Sequence, residues 1–292
     1  MSEIHLPASS QEESPRPPPL QRVAVRRESR SAGGVAARDN EDWIAAEVPV
    51  ALVFNGISHA VMMATPQDLE DFALGFALSE GILDSASDCR GIEQRTVTLP
   101  GGSAVSMDDP EAPAIEVRLD ISSRAFARLK DRRRSLAGRT GCGVCGIDSL
   151  AGLDLSPAVG LDVGLSVDVE VVLAAFDGLS AGQPLNARAG SLHAAGWALA
   201  DGSLTRVMED VGRHNALDKL LGWLARDGAD FRGGFVVMSS RGSYELVRKC
   251  SRLGVGAMAS ISAPTGLAVR IARESGMGLW GLCRRDTAVR YV

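Results

Sequence analysis

Aromatic side chains make up only 4% of this 292-residue chain, and Lys130, Lys219 and Lys249 are its only lysines, the other basic residues being arginine. So few aromatics argue against a flat base-stacking surface. No uninterrupted apolar segment approaches the roughly 20 residues that a membrane helix needs. The residues after Met1 also lack the charged-then-apolar order of a secretory signal, so the expectation is a cytoplasmic protein with no membrane partner. The 31 basic side chains fall short of the 36 acidic ones, for a net charge of -5. No global charge therefore calls for nucleic acid, and any anion site must be local. There is no Walker A motif, so the usual nucleoside triphosphate cradle is not supported. Cysteine is scarce as well: five residues, at 89, 142, 145, 250 and 283, an odd number that reads as thiols, ligands or catalysts instead of a disulfide framework.

What is present is ordinary globular composition, 45% hydrophobic and 23% charged, enough for one large domain or two small ones. Residues 1–41, with Pro17-Pro18-Pro19, scattered arginines and no sustained hydrophobic period, read as a disordered arm. A β-rich part with one helix follows over 42–137. It opens on two strands, Val48 to Phe54 and Ile57 to Met63, around an Asn55-Gly56 hairpin signal. Thr65-Pro66-Gln67-Asp68 predicts a helix start with a hydroxyl cap, and Gly81 its stop. Strand-like pieces at 95–99 and 115–119 precede a basic helix over 122–136. Residues 138–150 form a glycine-rich loop that predicts mobility, and 151–292 an α/β part. There Arg213 to Arg226 is amphipathic, and strands at 235–238, 257–262 and 279–283 alternate with helices at 244–253 and 265–274, which predicts a parallel sheet with crossover helices. Ligands in such sheets sit at the carboxyl ends of the strands.

The sharpest chemical feature is the C-x-x-C pair Cys142 and Cys145 among glycines 141, 143 and 146. Unshielded sulfurs near Arg132, Arg133, Arg134 and Arg139 favour the thiolate, the nucleophilic form. Half of a zinc site is the competing reading, weakened because no second ligand pair has normal spacing. A zinc deaminase is excluded: His193-Ala194-Ala195 lacks the glutamate of H-x-E, and the C-x-x-C lies upstream of it. His193 is as readily structural as functional. His214, with Asp210, Arg213 and Asn215 around it, is the better candidate for proton chemistry. The anion candidates are Arg241 and Ser243 in one strand-to-helix loop, Ser262 and Thr265 in the next, and Arg284 and Arg285 after the last strand. Each loop alone reads as ordinary capping, but two in succession favour a nucleotide-like ligand.

Taken together, Gly138 to Gly146, the run Glu209-Asp210-Val211-Gly212-Arg213-His214-Asn215-Ala216-Leu217-Asp218-Lys219, Ser240 to Glu245 and Ser262 to Thr265 resemble the formate dehydrogenase accessory protein (FdhD) family. The resemblance runs from about Val48 to the end. It implies an α/β (α+β overall) fold with a cytidine-deaminase-like three-layer lobe, its sheet mostly parallel, and a smaller N-terminal β-rich lobe. It implies a sulfurtransferase for molybdenum or tungsten enzymes, with Cys142 as the persulfide carrier and Cys145 assisting or resolving. The donor would be a cysteine desulfurase and the client formate dehydrogenase. The bound substrate would be the bis(molybdopterin guanine dinucleotide) cofactor, held at Leu282, Cys283, Arg284, Arg285, Asp286 and Thr287 with the loops above, His193 and His214. A homodimer is expected, and no stoichiometric zinc. The rival readings are a non-catalytic cofactor-binding chaperone and a zinc-stabilised interaction protein.

Overall fold

The computed structural model describes residues 16–31, 34–98, 113–135, 165 and 167–292. The C-x-x-C segment lies outside the described residues.

The first core is built on a four-stranded sheet of order β4-β3-β6-β5. Its hairpin, β3 (Val48–Phe54) and β4 (Ile57–Ala64), turns at Asn55 and Gly56, both with positive φ, as such a two-residue turn requires. The Asn55 side chain also clamps the end of β6 (Pro113–Ile121), donating to Ile121 O at 3.0 Å and accepting from Ile121 N at 2.7 Å. β6 runs parallel to β3, and β5 (Cys89–Thr98) pairs antiparallel to β6. Helix α1 (Leu69–Ser79) lays Phe72 and Phe76 against Leu52, Phe54, Ile115 and Leu119, and α2 (Ser123–Ser135) adds Ala125 and Leu129. Thr65 is not the cap of α1. The helix begins four residues later behind Asp68, because the Thr65 amide and hydroxyl are taken by the other half of the molecule.

The second core follows the expected rhythm. Helix α3 (Val169–Ala181) and the short α4 (Asn186–Ala189) lead into β7 (His193–Leu199), β8 (Leu204–Asp210), α5 (Arg213–Arg226) and β9 (Gly234–Met238). Then come α6 (Tyr244–Arg252), β10 (Ala257–Ser260), α7 (Gly266–Ser275), β11 (Gly278–Arg284) and β12 (Thr287–Arg290). The sheet order is β12-β11-β10-β9-β7-β8. It is a mixed sheet, not a mostly parallel one. β9, β10 and β11 pair in parallel, whereas β7 pairs antiparallel with β8 and β9, and β12 antiparallel with β11. The reason is connection length: helices join the three parallel strands, while short turns fold β7–β8 and β11–β12 as hairpins. α5, α6 and α7 cover one face through Leu217, Leu220, Val247 and Ile271, and α3 packs on the other through Val172, Ala175 and Leu179. The sheet is thus the middle of three layers.

The two cores meet where α1 lies along α5. A Cβ at Gly75 would run into the Asp218 carbonyl, and one at Gly222 into that of Asp71, so glycine is required for this backbone approach. Beside it, buried Lys249 reaches Asp218 at 2.8 Å, Glu80 at 2.9 Å and the Ser79 hydroxyl at 2.9 Å. Those carboxylates raise the Lys249 pKa against the opposing effect of burial, which keeps the ammonium charged.

Residues 20–45 depart from the disordered arm expected over 1–41. β1 (Leu20–Ser31) and β2 (Gly34–Ala45) form an antiparallel ribbon that belongs to neither large sheet. Its hydrophobic signal is weak because its outer half is small and charged residues; two exposed ion pairs cross it, Arg22 with Glu41 at 3.1 Å and Arg27 with Asp42 at 3.2 Å. Its root is fastened by Leu20, which is buried, and by Trp43, whose ring lies 3.9 Å from the Arg188 guanidinium of α4.

Candidate functional site

The sheet order brings the candidate residues, distant in sequence, to one edge. His193 opens β7 opposite Asp210, the last residue of β8. The registers Ala195↔Met238 and Ser260↔Met238 set the ends of β9 and β10 at the same level, and β11, aligned by Ala259↔Trp280, runs on past that level to Arg284. Five strand ends at about 4.8 Å spacing make an edge about 19 Å wide. The loops after β9, β10 and β11 stand on it side by side, as does the amino terminus of α5.

These loops brace one another. Ser239 is locked to β7, its hydroxyl accepting from Ala194 N at 2.7 Å. Thr265 N donates to Gly242 O at 3.0 Å, and Leu282 N to Ser262 O at 3.3 Å. A Cβ at Gly242 would lie 3.2 Å from Ser260 Oγ and 3.3 Å from Pro264, so glycine keeps this loop pressed on its neighbour. Arg284 stays exposed and arches back over the loop after β10, donating to Ile261 O at 2.9 Å and Ser262 Oγ at 3.4 Å. Leu282 (φ 54°) and Arg285 (φ 50°) both adopt the left-handed conformation that costs a side-chain-bearing residue energy, and such strain concentrates at ligand sites.

The individual candidates divide. Thr265 caps α7, its hydroxyl accepting from Ala268 N, so its side chain is occupied by ordinary capping. Ser243 stands at the corresponding position of α6 without capping it: the residue is buried, and its Oγ has no hydrogen-bond partner among the described residues. The Cys283 side chain points into the core with Phe235 and Trp280, where burial pushes its thiol up to about 11, so only its backbone belongs to the edge. Arg241, Arg285, Asp286 and Thr287 are exposed, and Thr287 donates to Arg284 O, closing the β11–β12 turn.

The most specific run of the sequence turns out to be chiefly a strut. Asp210, fully buried, accepts from Thr65 N at 3.0 Å, Gly212 N at 2.8 Å and Asn215 Nδ2 at 2.9 Å, and pairs with buried Lys219 at 2.8 Å. Lys219 also donates to Thr65 O and Glu209 O, and Asn215 to Met63 O. Glu209 takes the amides of Leu185 and Asn186, ordering the start of α4. Asp210 and Asn215 are therefore not partners in His214 chemistry; they tie the first core to the edge. Two residues of the run, Arg213 and His214 in the first turn of α5, make none of these bonds. The Arg213 Nε is buried without a hydrogen-bond partner among the described residues, and His214 Nε2 sits 3.9 Å from Glu245, beyond hydrogen-bond reach. Glu245, in the first turn of α6, is the neighbour that sequence spacing alone did not connect to His214.

Burial, then the Arg213 and Lys249 charges, lower the His214 pKa from 6.5 to about 4, so the imidazole is neutral at pH 7. His193 is lowered too, by burial and by Arg213. Between pH 6.5 and about 4 the unfolded chain protonates His214 while the folded one does not. The stability that the neutral ring represents is complete above pH 6.5 and is lost as the pH falls toward 4. Asp71 acts oppositely: burial lifts it from 3.8 to about 6, so its contribution is present at low pH and lost as the pH rises through 6. Subtracting the His214→Gln variant from the parent isolates the histidine. The variant is expected to lose less stability on acidification across this window, by up to about 1.4 kcal/mol per pH unit, in urea midpoints measured against pH. Parallel curves would refute a neutral buried His214.

The sequence profile of the FdhD/NarQ family matches residues 45–292. A curated relative from Chromobacterium violaceum, named sulfur carrier protein FdhD, is 55% identical over 259 residues, covering 88% of this chain and 91% of that protein. A relative of the same name from Burkholderia mallei is 48% identical over 281 residues, covering 96% and 97%. The fold is similar to a crystal structure of a chain described as a candidate formate dehydrogenase accessory protein from Desulfotalea psychrophila. That likeness has a TM-score of 0.64 at 20% identity, over 92% of this chain and 96% of that one.

Proposed function

Because the chain belongs to the FdhD/NarQ family, we propose that it is a sulfur carrier for formate dehydrogenase maturation, with Cys142 as the carrying thiol and the five-strand edge as the seat of the molybdenum cofactor. In the first step the Cys142 thiolate attacks the sulfane sulfur of a cysteine desulfurase persulfide; the donor cysteine leaves as thiolate, and Cys142 holds the persulfide. In the second, the Cys145 thiolate attacks Cys142 Sγ and releases the terminal sulfur as hydrosulfide for the cofactor. The resulting Cys142–Cys145 disulfide is reopened by a thiol reductant. The bis(molybdopterin guanine dinucleotide) cofactor is the substrate of that delivery.

The observation that carries this reading is the convergence of separate anion-suited groups on one edge. The uncapped amino terminus of α6 with the orphaned Ser243 hydroxyl, the amino terminus of α5 with Arg213, and the arched Arg284 suit the diphosphates of a guanine dinucleotide.

Isothermal titration with GDP tests the edge. Arg284→Ala is expected to weaken binding about tenfold or more, since charge-assisted hydrogen bonds contribute about 1.5–3 kcal/mol. Persulfide loading of Cys142 should be unchanged. Equal GDP affinity in variant and parent would remove Arg284 from the cofactor seat.

A further inference from the structure

We propose that the β1–β2 ribbon is a docking arm for an acidic surface patch on the enzyme that receives the cofactor. This rests on the reading of the edge as the cofactor's seat. The arm lies ahead of the residues that the family profile matches.

Over 26–30 and 34–41 every residue is exposed, so the outer part of the ribbon packs on nothing among the described residues. A two-stranded ribbon without such packing is marginal in water. Arg26, Arg27, Arg30 and Arg38 share this outer part with Glu28, Asp39 and Glu41, one positive charge in excess, and the register sets Arg27 directly opposite Arg38. Like charges in that position destabilise a free hairpin. Arg27 has Asp42 and Arg26 lies 3.5 Å from Glu28, but Arg30 and Arg38 make no ion pair among the described residues. An anionic partner relieves this repulsion and supplies the packing that the ribbon lacks.

The root of the arm determines where that partner would stand. Trp43 lies between the guanidinium groups of Arg22, at 5.1 Å, and Arg188 of α4, at 3.9 Å. The amino end of α4 is held by Glu209, and Asn186 Oδ1 accepts from Leu192 N at 2.9 Å, one residue before His193. The arm is thus fastened to the segment that enters the five-strand edge. A protein gripped by the arm is brought to that rim, where the cofactor must leave. Trp43 is the one aromatic residue of 20–45 and is already taken by Arg22 and Arg188, so the arm offers no stacking platform for a nucleic acid.

The test is binding of the full-length protein to purified apo-formate dehydrogenase by biolayer interferometry, at low and at moderate salt, for the parent and Arg27→Glu/Arg38→Glu. Parent affinity should fall with salt, and the double variant should bind about tenfold or more weakly, mostly through slower association. GDP affinity and persulfide loading report that the variant is folded and its site intact. Equal binding by variant and parent overturns the arm and leaves the cofactor reading standing. Binding of the parent without any GDP affinity does the reverse. Loss of self-association in sedimentation with client binding kept, or binding to anionic vesicles or DNA in place of the enzyme, overturns it by assigning another occupant.

Discussion

Cys142→Ala is expected to abolish activation of formate dehydrogenase while leaving GDP affinity at the parent value. The thiolate of that residue is the proposed acceptor of sulfane sulfur, and none of the cysteines outside the C-x-x-C pair is suited to replace it. Among the described residues Cys250 is fully buried, with its thiol pushed up by burial, and Cys283 sits in the core with a pKa of about 11. Both are protonated and shielded, the opposite of what nucleophilic attack requires. Cys89, half-buried and also raised by burial, begins β5 on the other sheet. Intact-protein mass spectrometry after incubation with a cysteine desulfurase and cysteine should show a thiol-reversible gain of one sulfur on the parent and none on the Cys142 variant. Cys145→Ala should still load but fail to release. Full client activation by Cys142→Ala would leave a cofactor-binding chaperone as the better description.

The second large effect concerns stability. Lys219→Met removes the only cation within reach of Asp210 among the described residues and strands a carboxylate of zero exposure. The loss is expected to be about 3–5 kcal/mol, the usual consequence of breaking a buried pair from one side. In a chain of this size that corresponds to a melting temperature lower by roughly 10 °C or more. Asp210→Asn/Lys219→Met should recover part of the loss, since the uncompensated charge is gone while the amide oxygen can still accept from Thr65 N or Gly212 N. Urea unfolding of the parent and both variants checks this. A loss under about 1 kcal/mol in the single variant would show that Asp210 finds water, and that the strut does not hold the cores together. GDP affinity should fall along with stability in Lys219→Met, because Thr65 and the end of β8 lose their common tie.

Local pattern was enough to locate most elements. Asn55-Gly56 between apolar runs names its hairpin, and the leucines from Leu217 to Leu224 name α5, because backbone preference and 3.6-residue periodicity act over one or two turns. The two strand-to-helix loops after β9 and β10 were legible for the same reason. The ribbon over 20–45 was not, since its outer half is small and charged residues with almost no hydrophobic period. Nor was the role of Thr65, which has every local mark of a cap and spends its hydroxyl on Val211, 146 residues away.

The sequence by itself therefore determined most of the elements, the candidate pair Cys142 and Cys145, the arginine-bearing loops and the family resemblance, all of which are written in neighbouring residues. Among the described residues, tertiary structure alone decided where each polar side chain sits and what it meets. Within one motif it buried Asp210, Asn215, Asp218 and Lys219 as a seam between two cores and left Arg213 and His214 only partly buried in the first turn of α5. It likewise turned Cys283 inward while Leu282 and Arg284 stayed out. The physical reason is that a polar side chain's function depends on which distant donor or acceptor it meets and how much water remains beside it. Sheet order and the α1–α5 contact set both, and neither is encoded at the range over which a motif can be read.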